Sequence, residues 1–249
     1  PMPANSLSRD ARHLALPQIG EKGQRGINQG TALLIGVGGI GCAAATYLAS
    51  SGVGRLVLCD FDTVDETNLG RQVLYGPGNI GELKAEVAAA RLRKVNPDVE
   101  IDSLPVRLSD EALAEAVGQA DVVLDGCDNF STRFHVNDAC VGVGRRLIAG
   151  SAIRFEGQLA VFGPDYAESP CYRCLYVEAD ESLGNCAGNG VLAPVPGVIG
   201  TMMAAEALKY LAGIGTTAPV LRLYDAAATE FHHLAVRKRG DCPACSAIV

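Results

Sequence analysis

The apolar run Thr31–Val37 (TALLIGV) passes straight into Gly36-Val37-Gly38-Gly39-Ile40-Gly41 and then into the Ala-rich stretch Cys42–Ser51. So short an apolar run reads as a buried strand, and the small residues behind the glycines are good helix formers. Arg55–Cys59 (RLVLC) is a second strand, ending at Asp60. Strand, glycine turn, helix, strand and acid form one complete βαβ unit, and that unit requires a parallel pair covered by its crossover helix. Within it, Gly36 permits a tight turn, Gly38 lets a phosphate approach the backbone, and Gly41 packs the helix on the sheet. Asp60, 19 residues beyond Gly41, stands where an acid accepts hydrogen bonds from ribose hydroxyls. A purely structural turn would use the same glycines, and the fingerprint does not say which nucleotide is bound.

The alternation continues. Glu82–Val95 reads as a helix stopped by Asn96-Pro97, Val99–Leu108 as a strand, and Ser109–Val117 as a helix capped by Ser109. Asp121–Leu124 is a buried strand ending at Asp125, Phe130–Val143 a helix and Arg146–Ala149 a fifth strand. After about residue 150 the pattern changes. Gln158–Phe162 and Val220–Tyr224 read as strands, with His232–Arg237 a third. Val198–Leu211 reads as a helix with Val198, Met202, Ala205 and Leu208 along its buried stripe. No helix separates the last strands, so they should continue the sheet antiparallel. The expected fold class is α/β: a Rossmann-like, doubly wound, mostly parallel sheet with antiparallel strands added. Residues 1–249 then form a single domain with a nucleotide-binding half, 1–150, and a second half, 151–249.

Charge narrows the function. With 21 Lys+Arg against 28 Asp+Glu the net charge is −7, so there is no general pull on nucleic acid or an anionic membrane. Any polyanion must be met by a local site. Val191–Ala205, the longest apolar stretch, holds Pro194, Pro196, Gly197 and Gly200 and is closed by Glu206, which no membrane span tolerates well. The N-terminal PMPANSLSRDARH lacks an apolar signal core, and a cytoplasmic location is expected. Local cations do exist: the polar stretch Asp62–Gly81 carries Arg71, and Lys84 follows. Near a nucleotide they would stabilise a triphosphate and a leaving pyrophosphate; alternatively they are solvated surface charges. Asp125-Gly-Cys-Asp-Asn129 follows the fourth strand, at the sheet edge where such folds bind ligands. Asp128 could hold Mg²⁺ there, or Asp128 or Asn129 could simply cap the next helix.

Nine cysteines, an odd number in a reducing compartment, argue against a disulfide framework. Cys42, Cys59, Cys127 and Cys140 lie in apolar or small-residue runs and read as core. Cys171-Tyr-Arg-Cys174 and Cys242-Pro-Ala-Cys245, separated by 67 residues, form two CxxC pairs that could close one tetrahedral Zn²⁺ site, with redox chemistry the alternative. Four thiolates leave no open position, so such a zinc is structural. Cys186, in the glycine-rich Gly184–Gly190, is either an ordinary loop cysteine or a thiol reachable by a partner's reactive end.

GVGGIG, the Asp60–Gln72 stretch (DFDTVDETNLGRQ), Lys84, DGCDN, GQLAVF, PCYRC, GVLAPVPGVIG, LYDA and CPAC, in that order, resemble the ThiF/MoeB/HesA family, small bacterial relatives of ubiquitin-activating enzymes. The resemblance implies a homodimer that uses ATP with Mg²⁺ to adenylate the C-terminal Gly-Gly carboxylate of a small ubiquitin-like sulfur-carrier protein. It places Gly39 in the nucleotide loop and Asp60 on the ribose. Asn68, Arg71 and Lys84 would meet the phosphates, and Asp128 would take Mg²⁺ with Asn129 beside it. Arg12 would reach the partner subunit's ATP, Cys186 would join the carrier's acyl group in those members that form such a bond, and the second half would bind carrier and zinc. The family's Arg-Tyr-x-Arg-Gln becomes Arg9-Asp-Ala-Arg12-His13, which keeps the arginines and changes their surroundings. A sulfur donor, if needed, would be separate. Two other classes stay open: an NAD(P)-dependent oxidoreductase with structural zinc, and a non-catalytic partner-binding protein.

Overall fold

A computed structural model describes residues 9–177, 190–215 and 219–248. Eight strands form one sheet in the order β3-β2-β1-β4-β5-β6-β7-β8. They are β1 (Thr31–Ile35), β2 (Arg55–Cys59), β3 (Glu100–Leu104), β4 (Val122–Asp125), β5 (Arg146–Ile153), β6 (Glu156–Phe162), β7 (Val220–Asp225) and β8 (Glu230–Ala235). The first five pair parallel and the last three antiparallel, so the expected continuation of the sheet is what the chain forms. Described helices are α1 (Ala11–Leu14), α2 (Gly20–Gln29), α3 (Gly39–Ser50), α4 (Lys84–Val95), α5 (Asp110–Gln119), α6 (Phe130–Gly142), α7 (Tyr172–Leu175) and α8 (Pro194–Leu211). None is long and apolar enough to cross a membrane.

The period of two along β1 explains the layers. Ala32 and Leu34 face a core built with α3, α4 and α8, whereas Leu33 and Ile35 face a second core built with α5 and α6. A strand buried on both faces must be apolar throughout, as TALLI is. Strand order reverses between β1 and β4, and the turns after these two strands open a crevice where open α/β sheets bind ligands.

Helix α8 corrects two expectations. It begins at Pro194, where proline's missing N–H costs a first turn nothing, and not at Val198. Its buried residues are Val195, Pro196, Ile199, Gly200, Met203, Ala204, Glu206 and Ala207; Ala205 is exposed and Val198, Met202 and Leu208 only half-buried. The helix is apolar nearly all round because it packs on α3 as well as on β5 and β6, so periodicity could not select its inner face. Strand β5 likewise runs on to Ile153, and β8 starts at Glu230, earlier than the expected His232.

Two glycines set how close α8 comes. A Cβ on Gly200 would stand 2.1 Å from the Ile40 carbonyl oxygen of α3, and one on Gly157 2.5 Å from Ile199. Backbone cannot yield as a side-chain tip can. Gly200→Ala should therefore force the helices apart and cost at least about 2 kcal/mol, a fall in Tm of about 5 °C or more by thermal unfolding. A Tm unchanged from the parent would show that this contact is slack.

Candidate active site

A cavity of about 330 Å³ lies at the carboxyl ends of β1, β2 and β4. Its walls include Gly36, Gly38, Gly39, Asp60, Arg71, Lys84, Asp128 and Asn129. Each glycine there has a separate reason. Gly36 turns the chain with φ +84°, in the left-handed region. Gly41 lies outside the walls and lets α3 approach, since its Cβ would fall 2.0 Å from the Gly36 carbonyl oxygen. At Gly39 a Cβ would press on Pro196 at 3.0 Å. At Gly38 it would meet only the cavity-lining Gln72 Nε2, at 3.6 Å, so nothing within the chain demands glycine there. A ligand approaching the backbone would, and the first turn of α3 offers it unpaired N–H groups and the positive end of a helix dipole.

Asp60 is placed as expected and occupied in a way the sequence did not announce. One carboxylate oxygen accepts from the Val37 N–H at 2.7 Å and the other from the Asp62 N–H at 2.9 Å, bracing the glycine turn against the end of β2. Burial raises its pKa, against the lowering effect of the two amides. Lys84 opens α4 with only 6% of its surface exposed, and its Nζ sits 3.1 Å from Asp62, whose side chain is 54% exposed. The amine is held at the wall while its partner stays in solvent. Arg71 leans over Gly39, donating to the Thr67 carbonyl at 2.9 Å.

The two candidate caps of α6 separate cleanly. Asn129 Oδ1 accepts from the Thr132 N–H at 2.9 Å and is the N-cap. Asp128 is exposed in the cavity wall, free for a cation. Asn68 is not in the wall: it turns the short 3₁₀ segment Glu66–Asn68, its carbonyl accepting from the Arg71 and Gln72 N–H groups. Arg12 is exposed on α1 and also outside the wall. Cys186 lies outside the described residues.

Several wall and support residues were not anticipated. Tyr75, buried, donates its hydroxyl to the Val37 carbonyl at 2.8 Å and lies 3.3 Å from the Lys84 carbonyl, tying the glycine turn to the start of α4. Arg107 stacks 4.2 Å above the Phe61 ring, and both line the cavity. Arg133, on the buried face of α6, donates to the carbonyls of Cys127 and, at 3.0 Å, Gly150. Its signal was present: a charge among Phe130, Phe134 and Asn137 on one helical face. The wall thiols Cys59 and Cys127 are pushed up by burial, Cys59 to about 11, so both stay protonated near neutrality.

Outside the cavity, in the core formed with α5 and α6, the Sγ atoms of Cys171, Cys174, Cys242 and Cys245 lie within 4.8 Å of one another, all buried. The pairs Cys171–Cys242 and Cys174–Cys245 are 3.6 and 3.5 Å apart. Tetrahedral Zn–S bonds of about 2.3 Å put sulfurs about 3.8 Å apart, so the donor set fits zinc in type, number and spacing. The Arg239 N–H points at Cys174 Sγ from 3.4 Å, an outer contact of the kind that supports metal thiolates.

Residues 11–244 match the ThiF family. The "Sulfur carrier protein ThiS adenylyltransferase" of Escherichia coli (strain K12) is 45% identical over 237 residues, which cover 95% of this chain and 94% of that protein. "Adenylyltransferase and sulfurtransferase MOCS3" of Mus musculus is 44% identical over 252 residues, covering 98% of this chain and 54% of that longer protein. Among solved structures, that of E. coli MccB superposes with a TM-score of 0.83 at 22% identity, over all of this chain and 74% of that one, and so shares the fold. A family match across nearly the whole described chain, on the fold and glycine turn set out above, makes this protein a member of the ThiF family.

Proposed function

We propose that this protein adenylates the C-terminal carboxylate of a small ubiquitin-like sulfur-carrier protein ending in Gly-Gly, using ATP. The observation that carries the reading is the meeting, in one cavity, of a glycine-lined helix N-terminus, two cations and an exposed carboxylate. The same lining also holds Arg107 and Arg133, and its cations are set against the acids Asp60, Asp62, Asp110 and Asp128, an arrangement that suits a polyanion bound together with a cation. The similarity to a ThiS adenylyltransferase supports the choice of substrate.

The chemistry follows from charge. A carrier carboxylate oxygen attacks the α-phosphorus, the bond from that phosphorus to the bridging oxygen breaks, and pyrophosphate leaves with the electron pair. Two anions must be brought together, so the site has to supply alignment and positive charge and needs no general base. Arg71 and Lys84 supply fixed charge, and the N–H groups of the glycine turn receive a phosphate. Asp128, with Asp62 near Lys84, would hold Mg²⁺, which when bound would supply positive charge to offset the charge developing on the leaving group. The protonated state of Cys59 and Cys127 spares the acyl-adenylate from attack by the cavity's own thiols. In this reading the protein is a homodimer with Arg12 reaching the partner subunit's nucleotide, Asn68 holds the turn that presents Arg71, and the Cys186 thiolate attacks the acyl-adenylate carbonyl, breaking its bond to the phosphate oxygen and releasing AMP, before a separate donor delivers sulfur. Hydride transfer rests on the glycine turn and Asp60 alone, features that an ATP site uses equally.

The test is carrier-dependent exchange of labelled pyrophosphate into ATP. Exchange should require both a Gly-Gly-ended carrier and Mg²⁺, and Arg71→Ala or Lys84→Ala should each slow it by about 10²–10³-fold, the usual cost of one transition-state charge contact. Absence of exchange with every such carrier overturns the reading. The zinc assignment has its own check. The purified protein should carry one zinc per chain, and Cys242→Ser should lose it, lowering Tm by about 10 °C or more. Full metal content in that variant would refute a four-thiolate site.

A further inference from the structure

Arg71 and Gln72 are consecutive, and each covers one glycine of the turn that opens α3. A Cβ on Gly39 would stand 3.4 Å from Arg71 Cγ, and one on Gly38 3.6 Å from Gln72 Nε2. Gln72 is presented from a fixed backbone. Its N–H donates to the Asn68 carbonyl at 2.9 Å, and its own carbonyl accepts the Tyr75 N–H at 3.1 Å. The residue lines the cavity and is only 4% exposed. A polar side chain buried to that degree should have its donor and acceptor paired. Here Oε1 is sealed from solvent and accepts nothing from the described residues.

Buried atoms of this kind elsewhere have a different setting. Asp125 Oδ2 and Glu206 Oε2 sit on carboxylates whose second oxygen is engaged, by the Cys127 N–H and by Lys209 Nζ. Neither residue belongs to the cavity wall, and among the described residues Gln72 is the one wall member with such an atom. No local partner explains the choice of glutamine. Gly38 is the N-cap of α3 and supplies no side chain to the first-turn N–H groups. A glutamine kept for structure would turn Oε1 to those donors and satisfy both. Nε2 is the end of the amide that lies there instead. The surroundings of Gly38 are therefore all donors: first-turn N–H groups, Nε2, and the Arg71 and Lys84 cations of the same wall. Such a set matches phosphate oxygens, which only accept.

We propose that Gln72 is a phosphate-binding residue: Nε2 donates to an oxygen of the phosphate received at Gly38, and the chain tolerates an unpaired Oε1 in order to hold that donor in place. The proposal rests on the reading of the cavity as an ATP site and adds a contact to it. It accounts for a buried amide where an apolar side chain of the same shape would leave no orphan. A neutral donor also suits the place, since its hydrogen bond strengthens as charge builds on the phosphate and it does not repel Arg71 beside it.

The test uses the full zinc-loaded chain with Gln72→Met, which keeps the volume and removes the amide, and Gln72→Glu, which keeps an oxygen and removes the donor. Tm without nucleotide is measured beside calorimetric ATP affinity in MgCl₂. Gln72→Met should hold the parent's Tm or raise it by a few degrees, because no orphan remains, and should weaken ATP binding about fivefold or more. Gln72→Glu should weaken it about 50-fold at about pH 8, where a carboxylate faces the phosphate. Its gap to the parent should narrow toward about pH 6, as the buried acid takes up a proton and becomes a donor again. A Tm below the parent's in Gln72→Met, or a chain that no longer folds, makes Gln72 a packing residue and overturns the proposal. ATP affinity equal to the parent's in either variant overturns it too, as does a Gln72→Glu gap that ignores pH. If the parent binds ATP and both variants match it, the nucleotide reading stands and Gln72 is dismissed. If the parent binds none, that reading fails and takes the proposal with it.

Discussion

The first turn of α3 sits on β1 at a distance only glycine allows. With the Gly36 carbonyl oxygen 2.0 Å from where a Gly41 Cβ would be, any larger residue would lift the helix from the sheet. That contact aims the helix N-terminus at the cavity, and other parts of the wall are anchored to the same turn. Asp60 grips Val37 N–H from the end of β2, and Tyr75 grips Val37 O from the segment that carries Arg71. Both backbone polar groups of Val37 are thereby spent on fixing neighbouring segments. Lys84 is drawn in by the same hydroxyl, through its carbonyl. Position is decided here by backbone groups, which cannot rotate away as long side chains do.

The charges around that turn are balanced without being cancelled. Lys84 has a partner in Asp62, yet the pair is buried on one side and open on the other. Asp62 is half in solvent, so a phosphate can take its place beside Lys84 without a buried acid being left unpaired. The buried amine, in contrast, has given up water already and gains from any anion that reaches it. Asp60 is the reverse case. Its carboxylate is buried and fully engaged with backbone N–H groups, which fits a brace better than a group waiting for a ligand. A bound ribose would have to share its remaining lone pairs.

How far the sequence could be read depended on which physical signal each residue carried. Strands β1 and β2 were legible to within two residues because a strand buried on both faces must be apolar along its length and the glycines mark its end. Ser109 was legible as a cap because its side chain bonds locally, to Ala112 N–H. The inner face of α8 was not, since a helix packed on two sides gives no stripe. Asp128 and Asn129 could not be told apart in sequence, as either can cap; only the Asn129 bond to Thr132 N–H separates them. Tyr75 and Arg107 act at the cavity through contacts 38 and 46 positions away in the chain, and no local pattern announces those, whereas Arg133 was marked by its place on an apolar helical face. Asn68 went the other way: its neighbour Arg71 reaches the wall, and its own carbonyl is used to turn the chain there.

The four-cysteine cluster is not packed apart from the rest of the chain. A site that only pinned the tail could use any residues between its cysteines, and short polar ones would suffice. This chain places Tyr172 and Arg173 there and packs both on α6, the helix whose N-terminus carries Asp128 and its cap. A rigid helix transmits position along its axis at no cost beyond keeping its own hydrogen bonds, whereas a loop would dissipate it. Helix α6 packs in the core that also holds the four cysteines, and both cores reach the cavity, Ile35 and Val136 from that one and Ile40 and Ala152 from the other. The turn that leads into α6 is held separately, Gly126 N–H on the Ile35 carbonyl and Cys127 N–H on Asp125 Oδ1, each at 2.9 Å, so the start of the helix is fixed by β1 and β4 and its middle by the Cys171–Cys174 turn.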